Sequence, residues 1–135
     1  MLFGDDHVRR YEETDGEVGY TWMKGTPTLI LTTKGRRSGQ PRKSALIFGE
    51  YDGHHVVVAS KGGAPDHPDW YKNLVANPEV MVQVKADKFA ARARTATGEE
   101  RATLWAHMAE IWPDYNEYQP KTDREIPVVV LERLD

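Results

Sequence analysis

Cysteine is absent from the chain. That absence removes disulfide staples, thiolate nucleophiles, thiolate zinc sites and iron–sulfur clusters. Long apolar runs are lacking as well, and none approaches the roughly 20 residues that cross a bilayer as a helix. The first 25 residues are interrupted by Asp5, Asp6, Arg9, Arg10, Glu12, Glu13 and Asp15, so no apolar export segment is expected and the cytoplasm is the default location. His7, His54, His55, His67 and His107 show no spacing such as H-E-x-x-H, and no metal site is expected. Ser38 and Ser60 lack the G-x-S-x-G setting of a serine hydrolase. Neither a P-loop nor a G-x-G-x-x-G fingerprint occurs. No acid–base pair stands out by its spacing.

At 135 residues, 39% hydrophobic and 29% charged, the chain reads as one soluble domain, with residues 1–26 as a peripheral N-terminal segment. The net charge is −3, yet Lys34, Arg36, Arg37, Arg42 and Lys43 place +5 within ten residues and leave −8 on the rest. A nucleic-acid binder spreads basic charge over a broad face. A local concentration suits a small anion instead, so no nucleic-acid partner is expected.

Along the chain, residues 1–27 are charged and irregular, with at most a short helix around Tyr11 to Met23. "TLILTT" is a β-branched apolar run bounded by Pro27 and a Gly-rich loop, which predicts a buried strand. Two strands follow, about Lys43 to Glu50 and His54 to Ser60, joined at Asp52-Gly53, the dipeptide that best tolerates positive φ at both turn positions. "DWYKNLVANP" predicts a short helix from about Pro68 to Ala76 that Pro78 closes. "EVMVQVKADKFAARARTA" predicts a second hairpin, with Val80, Val82 and Val84 on one face and Phe89, Ala91 and Ala93 alternating with Arg92 and Arg94. Thr97 and Glu100 have capping-box spacing before a helix carrying Leu104, Trp105, Met108, Ile111 and Trp112, which Pro113 ends. "IPVVVLE" is a last strand. The count is about six mostly antiparallel strands with two or three helices, an α+β, mostly β class, which favours a small barrel with helices outside.

Two loops carry the candidate chemistry. In "TTKGRRSGQPRK", Gly35 and Gly39 let the backbone bend, while Arg36, Arg37 and Arg42 offer forked donors for phosphate or carboxylate. A solvated hairpin would account for the loop alone equally well; its place between two apolar strands favours anion binding. In "ASKGGAPDHPDWYKN", Ser60, Lys61, Gly62 and Gly63 lie where a strand ends and a helix is about to begin, so backbone amides there can meet a carbonyl or developing negative charge. Trp105 and Trp112 are expected in the core. Tyr115 and Tyr118, on a polar loop beyond Pro113, are expected to wall a flat ligand. Anion-binding loops and aromatics without a nucleophile suggest that a cofactor carries the reaction.

Three segments together, "LTTKGRRSGQPRKSAL", "VVVASKGGAPDHPDWYKNLVANPEVMVQV" and "WPDYNEYQPKTDREIPVVVLE", resemble the deazaflavin-dependent nitroreductase family of actinobacteria, over roughly Pro27 to Leu131. The resemblance implies a split β-barrel and a reductase using reduced coenzyme F420. It also implies that Arg36, Arg37, Ser38 and Arg42 bind the cofactor's phosphate and oligoglutamate tail. Lys43, Ser44, Ala45, Leu46 and Ile47 would line the groove. Val58, Ala59, Ser60 and Lys61 would border the ring, with the Lys61, Gly62 and Gly63 amides near its pyrimidine carbonyls. Asp69, Trp70, Tyr71, Lys72 and Asn73 would place a helix start against the cofactor. Tyr115 would close over ring and substrate with help from Tyr118; with Ser60 these are the candidate catalytic residues. Trp112 stands where the nitroimidazole-reducing members are expected to have tyrosine, which implies a narrower pocket with a weaker donor.

The implied reaction is hydride transfer to a small, flat, electron-poor acceptor: a quinone, an enone or lactone, or a nitro-aromatic. An FMN-dependent enzyme of the same fold and a non-catalytic F420 carrier are the alternatives. A monomer is the default. Quinones would bring the chain near a membrane surface without a stable anchor.

Overall fold

Seven strands form one antiparallel sheet in the computed structural model, which describes residues 2–134. They are β1 (Thr28–Lys34), β2 (Pro41–Ile47), β3 (Gly49–Tyr51), β4 (His54–Val58), β5 (Glu79–Val84), β6 (Asp87–Thr95) and β7 (Val128–Arg133). Four helices accompany them: α1 (Gly4–Thr14), α2 (Asp69–Ala76), α3 (Gly98–Ile111) and the single turn α4 (Tyr115–Tyr118). The order across the sheet is β2-β1-β5-β6-β7-β4-β3.

The seventh strand comes from a break in a run expected to be continuous. The stretch from Lys43 to Glu50 divides at Phe48, so that β2 pairs with β1 while β3 pairs with β4 at the far edge of the sheet. One short piece of chain thus joins both edges, and the sheet curls into a half-barrel. Phe48 packs into the interior, its amide donating to Pro27 O at 3.2 Å. Gly49 must lack a side chain because a Cβ would lie 2.7 Å from both Met108 Sδ and Ile111 Cδ1 of α3.

The valine-rich strands owe their composition to burial on both faces. Val57, Val129 and Leu131 point into the barrel with Leu29, Leu31, Val80, Val82 and Phe89. Val56, Val58, Val128 and Val130 face the other way, onto Leu104, Met108, Trp112 and Tyr115. Strands covered on both sides read as continuous apolar runs, not as alternation. At the first hairpin Asp52 and Gly53 both take positive φ, 52° and 79°, as their sequence predicts.

Helix α1 ends where the expected helix was to begin. Asp15 takes φ 50°, and the Gly16 amide bonds Tyr11 O at 2.9 Å, a left-handed stop that a Cβ on Gly16 would block by lying 2.9 Å from Lys85 Cα. The segment read as peripheral is anchored: Tyr11 is 0% exposed, its hydroxyl donating to Thr28 O at 2.9 Å and accepting from the Lys85 amide at 2.8 Å. The expected capping box also fails. Thr97 makes no side-chain cap, and the Glu100 carboxylate that would bond back to the Thr97 amide instead takes Arg94 in a two-pronged pair at 2.6 and 2.8 Å, a charge-assisted arrangement stronger than a single bond to a neutral amide.

Tyr11→Phe removes both of those bonds and leaves a buried carbonyl and amide without their partner. We expect a loss of about 1–3 kcal/mol in denaturant unfolding; an unchanged midpoint would show that α1 is not fastened there.

Candidate functional site

The cationic loop is a tight bend between β1 and β2. Gly35 donates to Gln40 O and accepts from Gly39, both at 2.8 Å, and a Cβ on Gly35 would fall 2.7 Å from Ser38 Oγ. Asn73 of α2 fastens the bend to the helix. This amide is 3% exposed; its oxygen accepts from the Arg36 amide at 3.2 Å and from Arg36 Nη1 at 2.8 Å, while its nitrogen donates to Thr33 Oγ1 at 3.2 Å. Arg36 also meets Asp69 at 3.4 Å. Lys43 is held by Glu12 of α1 at 2.6 Å. The side chains of Arg37 and Arg42 make no hydrogen bond or ion pair among the described residues, so their guanidinium groups are the uncompensated charges of the loop.

These side chains line a cleft of about 830 Å³ between the loop, α1 and the start of α2. Five cations (Arg9, Arg36, Arg37, Arg42, Lys43) and four carboxylates (Asp5, Glu12, Glu13, Asp69) face it, the acids chiefly on the α1 wall. Beyond Trp70, which both cavities share, a second chamber of about 300 Å³ opens. Strand β2 runs through the pair, presenting Arg42, Lys43 and Ser44 to the cleft and Ala45, Leu46 and Ile47 to the chamber.

Aromatic rings form the chamber's far wall. Trp22 stacks on Trp112 with centroids 5.9 Å apart and planes at 30°. The Trp112 indole donates to the Tyr118 hydroxyl at 3.2 Å. Tyr118 therefore accepts through its oxygen and keeps its own proton to donate. Trp112 thus lines the chamber with its indole N–H already given to Tyr118. Tyr115 is 4% exposed, and burial holds its hydroxyl protonated well above the ordinary tyrosine range, with the neighbouring Tyr118 adding to the shift. Both tyrosines sit on the helical turn α4, not on the open loop expected, because Pro113 and Asp114 start a new turn: the amides of Asn116 and Glu117 bond their carbonyls at 3.1 and 2.9 Å.

The remaining wall is the Lys61–Gly62–Gly63 turn, which runs left-handed at φ 47°, 64° and 84°. A Cβ on Gly63 would lie 2.7 Å from the Tyr118 carbonyl, so only glycine lets α4 close onto the turn. The Gly63 amide is occupied by Ser60 O at 2.9 Å. Of the three amides expected to meet a ligand, Lys61 and Gly62 keep theirs without a partner among the described residues.

Most predicted residues converge here. Arg36, Arg37, Ser38, Arg42, Lys43, Ser44, Asp69, Trp70 and Asn73 line the cleft. Ala45, Leu46, Ile47, Val58, Ser60, Lys61, Gly62, Tyr115 and Tyr118 line the chamber. Four do not. Ala59 is fully buried and Gly63 is covered by α4. Tyr71 turns away to Thr95, hydroxyl to hydroxyl at 2.8 Å, and Lys72 to Asp66 at 2.6 Å, because successive positions on α2 leave the face that carries Asp69 and Asn73. Sequence reasoning missed Trp22, Glu12 and Pro68. It also missed Arg124, which lines neither cavity but grips the loop that does.

A curled half-barrel sheet, with guanidinium groups leading to stacked indoles, has the build of the split β-barrel reductases. Similarity to known proteins names the branch. Residues 5–133 match the family described as F420H(2)-dependent quinone reductase, and the chain belongs to that family. Membership carries the enzyme class, an F420-dependent reductase with reduced coenzyme F420 as its cofactor. An F420H(2)-dependent quinone reductase of Mycobacterium tuberculosis (strain ATCC 25618 / H37Rv) is 38% identical over 130 residues, covering 94% of this chain and 87% of that one. A solved structure described as an F420-H2 dependent reductase (FDR-A) is 46% identical, with a TM-score of 0.73 over 78% of this chain and 94% of its own. Another, described as a domain-swapped dimer, is 41% identical with a TM-score of 0.76 over 94% of this chain and 98% of its own. The match extends N-terminally beyond Pro27, where the sequence resemblance began, and takes in α1. No helix among the described residues is long and apolar enough to cross a membrane.

Glu12 occupies Lys43 and sets a negative charge beside the cleft. Glu12→Gln should therefore tighten F420 binding by about twofold to fivefold at low salt, the scale of one exposed ion pair. Calorimetric titration measures this, and weaker binding would contradict the assignment of α1 as the acidic wall.

Proposed function

We propose that the chain reduces a flat, electron-poor small molecule with reduced F420, quinones being the leading acceptor class and enones, lactones and nitro-aromatics sharing the same chemistry. The observation that carries this reading is the continuity of the cationic cleft with the aromatic chamber along β2. The donor set suits F420. Arg37 and Arg42, both uncompensated, stand in a cleft of about 830 Å³, more room than one phosphate fills, which favours an oligoanionic tail over FMN. The chamber is walled by rings and by Ala45, Leu46, Ile47 and Val58, as a planar heterocycle requires.

When bound, reduced F420 supplies a hydride from C5 of its deazaflavin ring. The chain's own contribution is placement, exclusion of water and a proton. Arg37 and Arg42, with Lys43 beside them, would hold an anionic end in the cleft and so fix the orientation in which a ring enters the chamber, and such orientation contributes several kcal/mol to a two-reactant step. The free Lys61 and Gly62 amides stand ready to stabilise negative charge on a ring carbonyl. Trp22 and Trp112 exclude water from the acceptor face. Reducing a quinone to the hydroquinone consumes one proton beyond the hydride, and the Tyr118 hydroxyl, its oxygen already bonded by Trp112, is the group placed to donate it, with Ser60 and the buried Tyr115 as neighbouring donors.

The test follows the absorbance of reduced F420 as a quinone, a butenolide and a nitro-aromatic are added in turn. Rapid oxidation with the quinone is expected; a bound cofactor that none of them oxidises would favour a carrier. Arg42→Ala should raise the F420 dissociation constant about 10-fold or more, the scale of a charged hydrogen bond, while turnover at saturating cofactor stays within about twofold. A full loss of turnover at unchanged affinity would place Arg42 in the reaction instead.

A further inference from the structure

Three consecutive residues in left-handed conformation, one of them the lysine Lys61, are not a bend that a chain holds unaided. Its own hydrogen bonds are few: Gly63 N to Ser60 O at 2.9 Å and Ala64 N to Lys61 O at 3.1 Å. The rest of the support comes from one side chain distant in sequence. Arg124, in the segment before β7, donates from Nε to Ala64 O at 2.8 Å, from Nη1 to Ala59 O at 3.2 Å and from Nη2 to Ser60 O at 2.7 Å. The guanidinium makes no ion pair among the described residues. Its side-chain hydrogen-bond partners among the described residues all lie in residues 59–67, the last being His67 Nδ1 at 3.0 Å. Gln119 ties this arrangement to α4, donating to Arg124 O at 2.8 Å and accepting from the Ile126 amide at 2.9 Å.

We propose that Arg124 is a positioning residue for the F420 site: its three carbonyl bonds hold the Lys61–Gly62–Gly63 turn in left-handed form, and the hold requires the neutral His67 ring as fourth acceptor. This rests on the proposed placement of the cofactor ring beside that turn. A guanidinium has donors only, so Nδ1 of His67 must present a lone pair and the ring proton must lie on Nε2. Protonating Nδ1 would set an N–H and a second positive charge against Arg124.

Every charged group around His67 bears on this. Arg124 from the β7 side and Lys72 from α2 oppose imidazolium formation. Asp66 favours it but is paired with Lys72 at 2.6 Å. The Tyr71 ring, 4.9 Å away, covers one side. Burial first and Arg124 second lower the His67 pKa below the ordinary histidine range. The direction sets the sign: with the folded value depressed below about 6.5, the neutral-ring arrangement is fully present above that pH and is lost as pH falls through the folded value.

The test uses the ligand-free protein and the loaded protein in parallel. In the ligand-free wild type, the Gly62 and Gly63 amide resonances should shift in step with the His67 ring from about pH 7.5 to about pH 5. Over the same range the F420 affinity should fall about fivefold to tenfold. His67→Gln, whose amide oxygen accepts from Arg124 without titrating, should abolish both changes. Arg124→Lys, checked for folding by circular dichroism, should weaken F420 binding about tenfold at neutral pH. Glycine resonances that stay fixed while His67 titrates would overturn the proposal, as would an acid loss retained in His67→Gln. Failure to bind F420 at any pH would instead sink the cofactor placement, and the ligand-free resonances would still judge Arg124 and His67.

Discussion

The site depends on one stretch of chain, Pro41 to Gly49, that both closes the barrel and carries the cleft into the chamber. Its β2 portion, Pro41–Ile47, pairs with β1 and exposes Arg42 and Lys43; Phe48 is then buried in the interior as the chain crosses to the opposite edge of the sheet. Because closure pins the register at Phe48–Gly49, the cationic and apolar ends of the site stand at a fixed separation. A slip of one residue would turn each side chain to the wrong face, so the packing that stabilises the sheet also sets the distance between the cationic end and the aromatic end.

Charge within the cleft is graded. Arg36 is compensated by Asp69 and bound to Asn73, so it serves as a tether between the bend and α2. Lys43 shares its charge with Glu12 at the mouth. Arg37 and Arg42 alone face the cleft uncompensated, and an incoming anion meets them without displacing a protein carboxylate. The acidic wall on α1 limits the region in which negative charge is welcome. Local attraction within an acidic protein thereby favours one placement of an oligoanion and disfavours diffuse adsorption.

Much of this was legible in the chain. The valine runs of β4 and β7, the Asp52-Gly53 turn, the α2 boundaries at Pro68 and Pro78, and the concentration of glycine and arginine in one bend all state local physics. What escaped reading depends on contacts distant in sequence. The division at Phe48 reflects closure of the sheet, and Trp22 reaches the chamber only because α1 docks on β1 and β2 through Tyr11 and Val8. Thr97 and Glu100 carry a local capping pattern, yet Arg94 from the preceding strand claims the carboxylate. Arg124 sits in an ordinary polar segment, "KTDRE", and nothing local marks it as the residue that grips the Lys61–Gly62–Gly63 loop; Tyr115 likewise reads as a loop residue until Gly63 allows α4 to close against it.

The account turns on whether the anionic tail, anchored at the bend, places the ring. The most direct measurement compares the affinity of intact F420 with that of its tail-less deazaflavin chromophore at low and at high salt. Intact cofactor should bind at least about a hundredfold more tightly at low salt, a gap of roughly 2.7 kcal/mol, and raising the ionic strength should shrink that gap while leaving the chromophore's own affinity nearly unchanged. Equal affinities for the two, or a gap indifferent to salt, would contradict it.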